Sequence, residues 1–294
     1  DPIEVKIVTF RPPSISAVMN PLIKAKGFDK KNGVNIVFDQ KPGKAARAGF
    51  ASGHNKVAGS GAYLNQAQYR LKGMKNKILF NVYDYYGAII TGKKSLRKIT
   101  DLAGNKLAVA KFTTNYRFFV YFAKHAGLNL DDVKEQSSGI QGLMTLLMAG
   151  RVDAAQLWEP ALSAVEHKAP GRFHRIEYDQ AWPALTGRKV IPYIGVAAHE
   201  SWIVKNKSTI RKLFAAYKDA ESYLNKNPDD AARIIAEGFN LPKEVIGNVI
   251  AKGRLRIRVG WANDMADDFA AVWKAGREAG VLKGIPDSNI LYRP

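Results

Sequence analysis

The chain has 294 residues, which is too long for one typical domain and suits two domains of roughly 100–200 residues each. It contains no cysteine, so disulfides, thiolate metal ligands and cysteine nucleophiles are excluded. Its 45 Lys and Arg residues against 26 Asp and Glu residues give a net charge of +19, which indicates nucleic acid, an acidic membrane surface or anionic ligands as partners.

The basic residues are scattered, and no run of five or more Lys or Arg occurs. The densest groups are short and lie at 72–77, 93–98 and 254–258; the last alternates basic and apolar residues, as one face of a strand does. We therefore expect most of the charge to be solvated surface and expect no nucleic-acid partner. No apolar run approaches the ~20 residues that span a bilayer, and no signal peptide is visible at Asp1. We expect an exported, periplasmic protein whose signal has been removed.

Apolar or alternating segments and helical periodicity succeed one another along the first lobe. The predicted strands are 4–10, 34–38, 56–58 and 78–82, and the predicted helices are one ending at Gly27, 44–50 and 63–71. The small residues 59–62 are predicted to form a loop at the end of the third strand. Alternation of strands and helices predicts a parallel sheet with helices on both faces.

A second block repeats this order. The predicted strands are 107–110, 133–135, 154–158 and 176–178, and the predicted helices are 140–149 and one from Ala161. Segments 83–91 and 190–198 are predicted to cross between the two blocks, and the chain from Lys207 is predicted to be helical. We therefore predict an α/β, bilobal architecture of two doubly wound lobes: residues 1–86 with 199–294 form lobe I and residues 87–198 form lobe II.

The segment 106–127 has the clearest strand, loop and helix pattern. Thr113, Thr114 and Asn115 are each suitable N-caps. A helix start has unpaired N–H groups and the positive end of the dipole, so with these hydroxyls it can hold a sulfonate, a carboxylate or a nitrate. The alternative is an ordinary capped helix, which every βα unit contains.

Other candidate ligand contacts follow predicted strands. Arg11, on a stiff Pro-Pro loop, can reach an anion or be a surface arginine; the Ser60-Gly61 segment can let a ligand approach the backbone or form a tight turn. Trp158 can line a pocket or pack in the hydrophobic core, and Glu159 can bind an amine or only cap a helix. Tyr85 can line a cleft or pack a hinge.

Motifs for metals, cofactors and catalysis are missing. The five His residues have no HExxH spacing, and there is no Walker A segment, dinucleotide fingerprint or GxSxG elbow. We expect no metal, no cofactor and no catalytic residue.

Several segments resemble periplasmic solute-binding proteins of the taurine, alkanesulfonate and nitrate ABC importers. Residues 99–109 resemble the "dLkGKkvav" segment of that family, and residues 112–116 resemble the loop and helix start that follow it. Residues 147–155 resemble its "l..G.vDaa" segment and residues 158–161 its "w.p" segment. Segments 50–53 and 58–61 are similar to the equivalent places in the first lobe. The resemblance covers nearly the whole chain in order.

This resemblance implies the bilobal periplasmic-binding-protein fold and a non-catalytic protein. It would capture a small organic anion, such as taurine or an alkanesulfonate, and deliver it to an ABC permease in the inner membrane as a monomer. The implied contacts are Arg11, Ser60, Gly61, Tyr85 and Phe112, together with Thr113, Thr114, Asn115, Trp158 and Glu159.

Departures from the family pattern leave the ligand open. Gly53-His54-Asn55 stands where a Gly-Asp pair is usual. The aromatic residues Phe10, Tyr85, Phe112, Tyr116 and Trp158 at or near strand ends predict a ligand with an organic body rather than bare nitrate. Alternatives are an aromatic or pyrimidine-type ligand, or an enzyme of the related fungal pyrimidine-synthesis branch, which the missing cysteine disfavours. A charge-driven polyanion binder would show a strong salt dependence.

Overall fold

The computed structural model describes residues 1–294 as two β-sheets flanked by helices. The strands are β1 (Ile3–Phe10), β2 (Val34–Lys41), β3 (Val57–Ala62), β4 (Asn76–Asp84), β5 (Ala88–Thr91), β6 (Lys106–Val109), β7 (Lys134–Ser137), β8 (Ala154–Leu157), β9 (His174–Glu177), β10 (Pro192–His199) and β11 (Ile257–Trp261). The α-helices are α1 (Met19–Lys26), α2 (Phe28–Lys31), α3 (Gly43–Ala51), α4 (Tyr63–Leu71), α5 (Thr114–Ala126), α6 (Ile140–Met148), α7 (Ala161–Lys168), α8 (Trp182–Thr186), α9 (Glu200–Ile203), α10 (Lys207–Lys226), α11 (Pro228–Phe239), α12 (Lys243–Ala251) and α13 (Ala266–Glu278). Short 3₁₀ helices lie at Ile15–Ala17, Ile99–Leu102, Leu130–Asp132, Asp179–Ala181, Ala262–Met265 and Ser288–Ile290.

Each sheet has a parallel half whose strands end at one edge. The first sheet has the order β11-β4-β10-β3-β1-β2, with β1 parallel to β2 and β3 and with β10 antiparallel to β3 and β4. The second has the order β7-β6-β8-β5-β9, with β6 parallel to β7 and β8. The predicted two-lobed α/β fold is therefore confirmed. None of the helices is both long enough and apolar enough to span a bilayer.

The chain crosses between the sheets twice. It leaves the first sheet after Asp84 and enters β5 at Ala88, and it returns between β9 and β10. The two crossings touch, since the Tyr85 N–H donates to the Ile191 carbonyl at 2.8 Å. Because β10 pairs with β3 and β4 along its length, we propose that lobe II ends before Pro192 rather than at 198.

The predicted loop at 59–62 is wrong, because these residues complete β3 in the middle of the first sheet. Their small size serves close packing between strands. A Cβ on Gly59 would lie 2.9 Å from Thr9 Cγ2, and one on Gly61 would lie 3.0 Å from the Gly195 carbonyl oxygen. The glycines therefore fit neighbouring strands together rather than form a turn.

The prediction that the chain is helical from Lys207 is also wrong at β11, which pairs antiparallel with β4. The alternating arginines of segment 254–258 lie on and just before this strand; we call Arg254, Arg256 and Arg258 the arginine row. Arg254 pairs with Glu177 at 3.3 Å, and Arg258 Nε with Asp84 at 2.6 Å. Arg256 binds the carboxylate of Asp179 and donates to the Tyr85 carbonyl at 2.7 Å. Arg254 and Arg256 therefore join the first sheet to the second beside the crossings, whereas Arg258 pairs within the first sheet.

Apolar packing joins the lobes on the same side. Helix α13 follows β11 and packs on both α4 and α5. One buried cluster accordingly contains Tyr63 of α4, Phe122 of α5 and Phe269 of α13. The ring centroids of Tyr63 and Phe269 are 4.8 Å apart. The two lobes thus share a core near the crossings, while their other ends meet only across a cleft.

Candidate functional site

A cavity of about 270 Å³ lies in this cleft, between the carboxyl edges of the two sheets. Lobe I contributes residues after β1, at the starts of α3 and α4, and on β10: Phe10, Arg11, Pro12, Pro13, Ser14, Ile15, Pro42, Gly43, Arg47, Ala62, Asn65, Tyr193 and Ile194. Lobe II contributes residues at the starts of α5 and α6 and after β8: Phe112, Thr113, Thr114, Asn115, Ile140, Gln141 and Trp158. Ligands of open α/β sheets bind at such strand ends, so this cavity is the candidate site.

A helix start dominates the lobe II wall. The Thr113 hydroxyl accepts from the Tyr116 N–H at 3.2 Å and donates to the Ala110 carbonyl at 2.7 Å, which caps α5. The backbone N–H groups of Thr114 and Asn115 have no hydrogen-bond partner in the protein. The Thr114 hydroxyl lies 3.3 Å from the Tyr193 hydroxyl on the opposite lobe. Two free donors and the positive end of the α5 dipole therefore face the cavity.

Two arginines line the lobe I wall without an acidic partner. Arg11 is exposed, whereas Arg47 is half-buried on α3, and neither takes part in an ion pair. The Arg47 guanidinium carbon lies 5.6 Å from the ring centre of Phe10 and 5.9 Å from that of Phe112. It therefore sits between aromatic rings of both lobes. Burial lowers the pKa of Arg47, although an arginine remains charged at neutral pH.

The charged residues that line the cavity are all positive, because Arg11 and Arg47 line it and no Asp or Glu does. Its flat surfaces come from four aromatic residues: Phe10, Phe112, Trp158 and Tyr193. A half-buried guanidinium without a counter-ion favours an anionic ligand, since a desolvated charge is stabilised by a partner of opposite sign. The arrangement suits an acid group held by donors and an organic body held between rings.

Six of the predicted contacts meet at this cavity. They are Arg11, Phe112, Thr113, Thr114, Asn115 and Trp158. Two others lie away from it on β3. Ser60 borders a separate space of about 10 Å³ behind Arg47, and Gly61 is packed against β10.

Glu159 points away from the cavity. Its side chain is 1% exposed and pairs with Arg175 at 2.6 Å. It also accepts from the Ser163 N–H at 3.1 Å and from the Ser163 hydroxyl at 3.1 Å. A carboxylate with these partners stabilises the start of α7 and is not available to a ligand amine.

Tyr85 lies behind the cavity at the first crossing. Its hydroxyl donates to the Asn115 carbonyl at 3.2 Å and lies 2.7 Å from the Tyr178 hydroxyl. Gln156 donates to the same carbonyl at 3.3 Å. Burial raises the pKa of Tyr85 well above its ordinary value, so the hydroxyl stays protonated. Tyr85 therefore positions the start of α5 rather than touching a ligand. Tyr116 is likewise turned away, with its hydroxyl 2.8 Å from Glu135.

Sequence reasoning missed Arg47, Asn65, Gln141 and Tyr193. A signal for Arg47 exists, because Pro42 and Gly43 mark a helix start directly after β2, as Thr113 does after β6. Tyr193 belongs to the predicted return crossing, but nothing local indicates which way its ring points.

A larger space of about 690 Å³ lies on lobe II beside the edge strand β9. Arg175 and Arg254 in its lining are already paired, with Glu166 at 2.8 Å and Glu177 at 3.3 Å, whereas Arg97 and Lys98 have no carboxylate partner. It is also away from the strand ends, so we do not assign the site there. No group of three or more His, Asp or Glu side chains is arranged to hold a metal ion.

Comparison with known proteins agrees with this geometry. A family profile described as "NMT1/THI5 like" matches residues 22–231. A Brucella abortus protein whose assignment as a binding protein is provisional is 22% identical over 267 residues, covering 85% of this chain and 80% of its own. The alkanesulfonate-binding protein SsuA of Xanthomonas axonopodis pv. citri, solved with MOPS bound, superimposes with a TM-score of 0.79 at 15% identity over 100% of this chain and 99% of its own.

The periplasmic nitrate-binding protein NrtA of Synechocystis has a TM-score of 0.74 at 14% identity, over 99% of this chain and 84% of its own. These identities establish a shared fold and leave the ligand open. The predicted resemblance is thereby confirmed: the chain belongs to the NMT1/THI5-like family and has the fold of the periplasmic sulfonate- and nitrate-binding proteins of ABC importers.

Proposed function

We propose that the protein is the substrate-binding component of an ABC importer and that it captures a small organic anion of the sulfonate type in the cleft. The observation that carries this is the lining of the cavity. Two unpaired guanidinium groups and two free N–H donors face one space that no carboxylate lines. Similarity to sulfonate- and nitrate-binding proteins supports the same class of ligand.

The acid group of the ligand binds at the start of α5, where the N–H groups of Thr114 and Asn115 donate to it. Arg47 reaches the same group from lobe I, and Arg11 adds positive charge at the exposed rim. The organic body packs against Phe112 and the other rings. Because the donors come from both lobes, the ligand favours the closed form, which then docks on a permease.

A second candidate ligand is a flat, pyrimidine-like molecule, which the four aromatic residues favour. An enzyme of the pyrimidine-synthesis branch has less support. No Cys, His, Asp or Glu lines the cavity, so it lacks the usual groups for acid–base or nucleophilic steps. We therefore assign binding without catalysis.

The test is a thermal-shift screen followed by calorimetry. The panel contains nitrate, taurine, longer alkanesulfonates, aromatic carboxylic acids and a neutral pyrimidine in one buffer. We expect organic anions to raise the melting temperature most, since a ligand at a hundred times its Kd stabilises by about 2.7 kcal/mol. Tightest binding of nitrate would exclude a role for the aromatic walls, and tightest binding of the neutral pyrimidine would overturn the anion assignment.

We also propose that the protein is exported to the periplasm and works as a monomer. Cell fractionation of the full-length gene product tests the first point, and light scattering of the purified chain tests the second. A cytoplasmic product or a stable dimer would contradict them.

A further inference from the structure

A second surface lies at the opposite end of lobe I from the cleft. It contains three of the most exposed large apolar side chains: Leu71 is 40%, Val204 64% and Ile285 49% exposed. A Cβ on Gly284 would lie 3.6 Å from Leu71 Cδ2, which places Ile285 beside Leu71. The Glu200 N–H donates to the Lys75 carbonyl at 2.8 Å, which places Val204, one helical turn later, near the end of α4. The three side chains therefore lie at the same end of lobe I.

Exposed lysines accompany these apolar side chains. Six of them lie within a few residues of Leu71, Val204 or Ile285, or directly before β3: Lys56, Lys72, Lys75, Lys205, Lys207 and Lys283. None has a carboxylate within 4.0 Å. The carboxylates nearby are Glu200 and Asp287, and both are bound by Arg70, at 2.6 and 2.9 Å. We call this surface the lysine face; it carries an excess of positive charge that the protein does not neutralise.

The lysine face is remote from the ligand cavity. It gathers the start of β3, the start of β4 and the end of β10, all at the edge of the sheet opposite the cleft. At about 3.3 Å per residue, β4 separates the two ends by roughly 25 Å. The cleft does not use this surface, and ligand binding does not explain its charge.

We propose that the lysine face docks on an anionic lipid bilayer. Lysines on flexible stems match mobile anionic headgroups, and each contributes attraction near such a surface. Leu71, Val204 and Ile285 are too few to form a large apolar patch, which suits shallow insertion between headgroups. A protein partner more often requires aromatic anchors and a packed central patch.

The experiment measures flotation with vesicles made of equal parts phosphatidylglycerol and phosphatidylcholine, and with pure phosphatidylcholine vesicles. The test variant changes Lys72, Lys75, Lys205 and Lys283 to Gln. The matched control changes Lys94, Lys124, Lys134 and Lys168 to Gln; these are exposed lysines of lobe II without ion pairs. Both variants lose four positive charges, so their net charge is identical, and melting curves check their folding.

We expect the wild type to bind only the anionic vesicles. The lysine-face variant should bind between roughly tenfold and 600-fold more weakly, since each of the four lysines contributes up to about fivefold near an anionic surface. The lobe II variant should stay within about twofold of the wild type. A Leu71→Ser, Val204→Ser, Ile285→Ser variant should also bind several-fold more weakly, because it keeps the charge and loses the insertion.

Equal losses in the two lysine variants would overturn the proposal, because general charge would then explain binding. Unchanged binding of the serine variant would refute the insertion of apolar side chains. Calorimetry with the anion found in the ligand screen should give the same Kd for all variants, so a failed membrane assay leaves the importer function unaffected.

Discussion

Arg47→Gln is the substitution that most directly tests the anion site. It removes the half-buried guanidinium that lies between Phe10 and Phe112 and keeps a polar side chain on α3. No ion pair is lost, because Arg47 has no acidic partner. Its effect on a bound anion therefore separates cleanly from effects on other parts of the protein.

The expected size follows from the contacts. A hydrogen bond to a charged group is worth about 1.5–3 kcal/mol, which corresponds to roughly a 10- to 150-fold weaker Kd. In the ligand-free protein, two cation–π contacts of about 0.5–1 kcal/mol each are lost. Relief of an unpaired, half-buried charge opposes that loss. We therefore expect the free energy of unfolding without ligand to change by less than about 1 kcal/mol.

The assay is calorimetry with the tightest-binding acid of the panel, with thermal melting of the ligand-free variants. Arg117→Gln is the matched control, because Arg117 is also half-buried, lies 5.8 Å from the Tyr116 ring centre and has no ion pair, yet does not line the cavity. The Kd of Arg47→Lys should fall between those of the wild type and Arg47→Gln, since lysine keeps the positive charge but lacks the planar guanidinium that can donate two hydrogen bonds. Wild-type affinity in Arg47→Gln, or an equal loss in Arg117→Gln, would refute this assignment.

Three further outcomes are expected. Thr114→Val should weaken anion binding about 2- to 10-fold, because it removes the hydrogen bond from the Thr114 hydroxyl to the Tyr193 hydroxyl across the cavity, and an unchanged Kd by calorimetry would exclude a role for this contact. Arg175→Met should lower the free energy of unfolding by about 3–5 kcal/mol, because it leaves Glu159 buried without its partner, and should leave the ligand Kd unchanged. A weakened Kd with unchanged stability would indicate that Glu159 contacts the ligand. Burial raises the pKa of Asp29, but hydrogen bonds from Lys24 and backbone N–H groups outweigh it and hold the pKa below 3.8. The ionised carboxylate therefore adds stability above its unfolded pKa of about 3.9 that is lost as the pH falls through the folded pKa. Asp29→Asn should destabilise by about 1–3 kcal/mol at neutral pH in urea titrations, with a gap that narrows in acid; a gap independent of pH would contradict the ionic contribution.

The helix start on lobe II was predictable because its signals are local. Thr113 follows a buried apolar strand and precedes an apolar periodic helix, and the structure has it as the N-cap of α5. The ends of α1 and α5 at Gly27 and Gly127 follow in the same way, since both glycines adopt the left-handed conformation that ends a helix.

Features that depend on distant partners could not be predicted. In the sequence, Gly59 resembles a turn residue, and only the close packing of β1 beside it explains its small size. The segment that ends the arginine row forms a strand only because β11 pairs with β4. Glu159 follows Trp158 in sequence, yet its direction is decided by Arg175, which lies 16 positions away along the chain. Burial and pairing across the fold, rather than local pattern, select which side chains reach the cleft.

The arginine row determines where the molecule can yield. Arg254 and Arg256 fasten the two lobes beside the crossings, whereas at the far end Phe112, 60% exposed, meets Arg47 through a single ring face. A small rotation of one lobe about the fastened side would therefore displace Phe112 more than it displaces residues near the crossings. We therefore expect ligand entry and release at that edge, and we expect closure to add no affinity for molecules too short to touch both Arg47 and the start of α5.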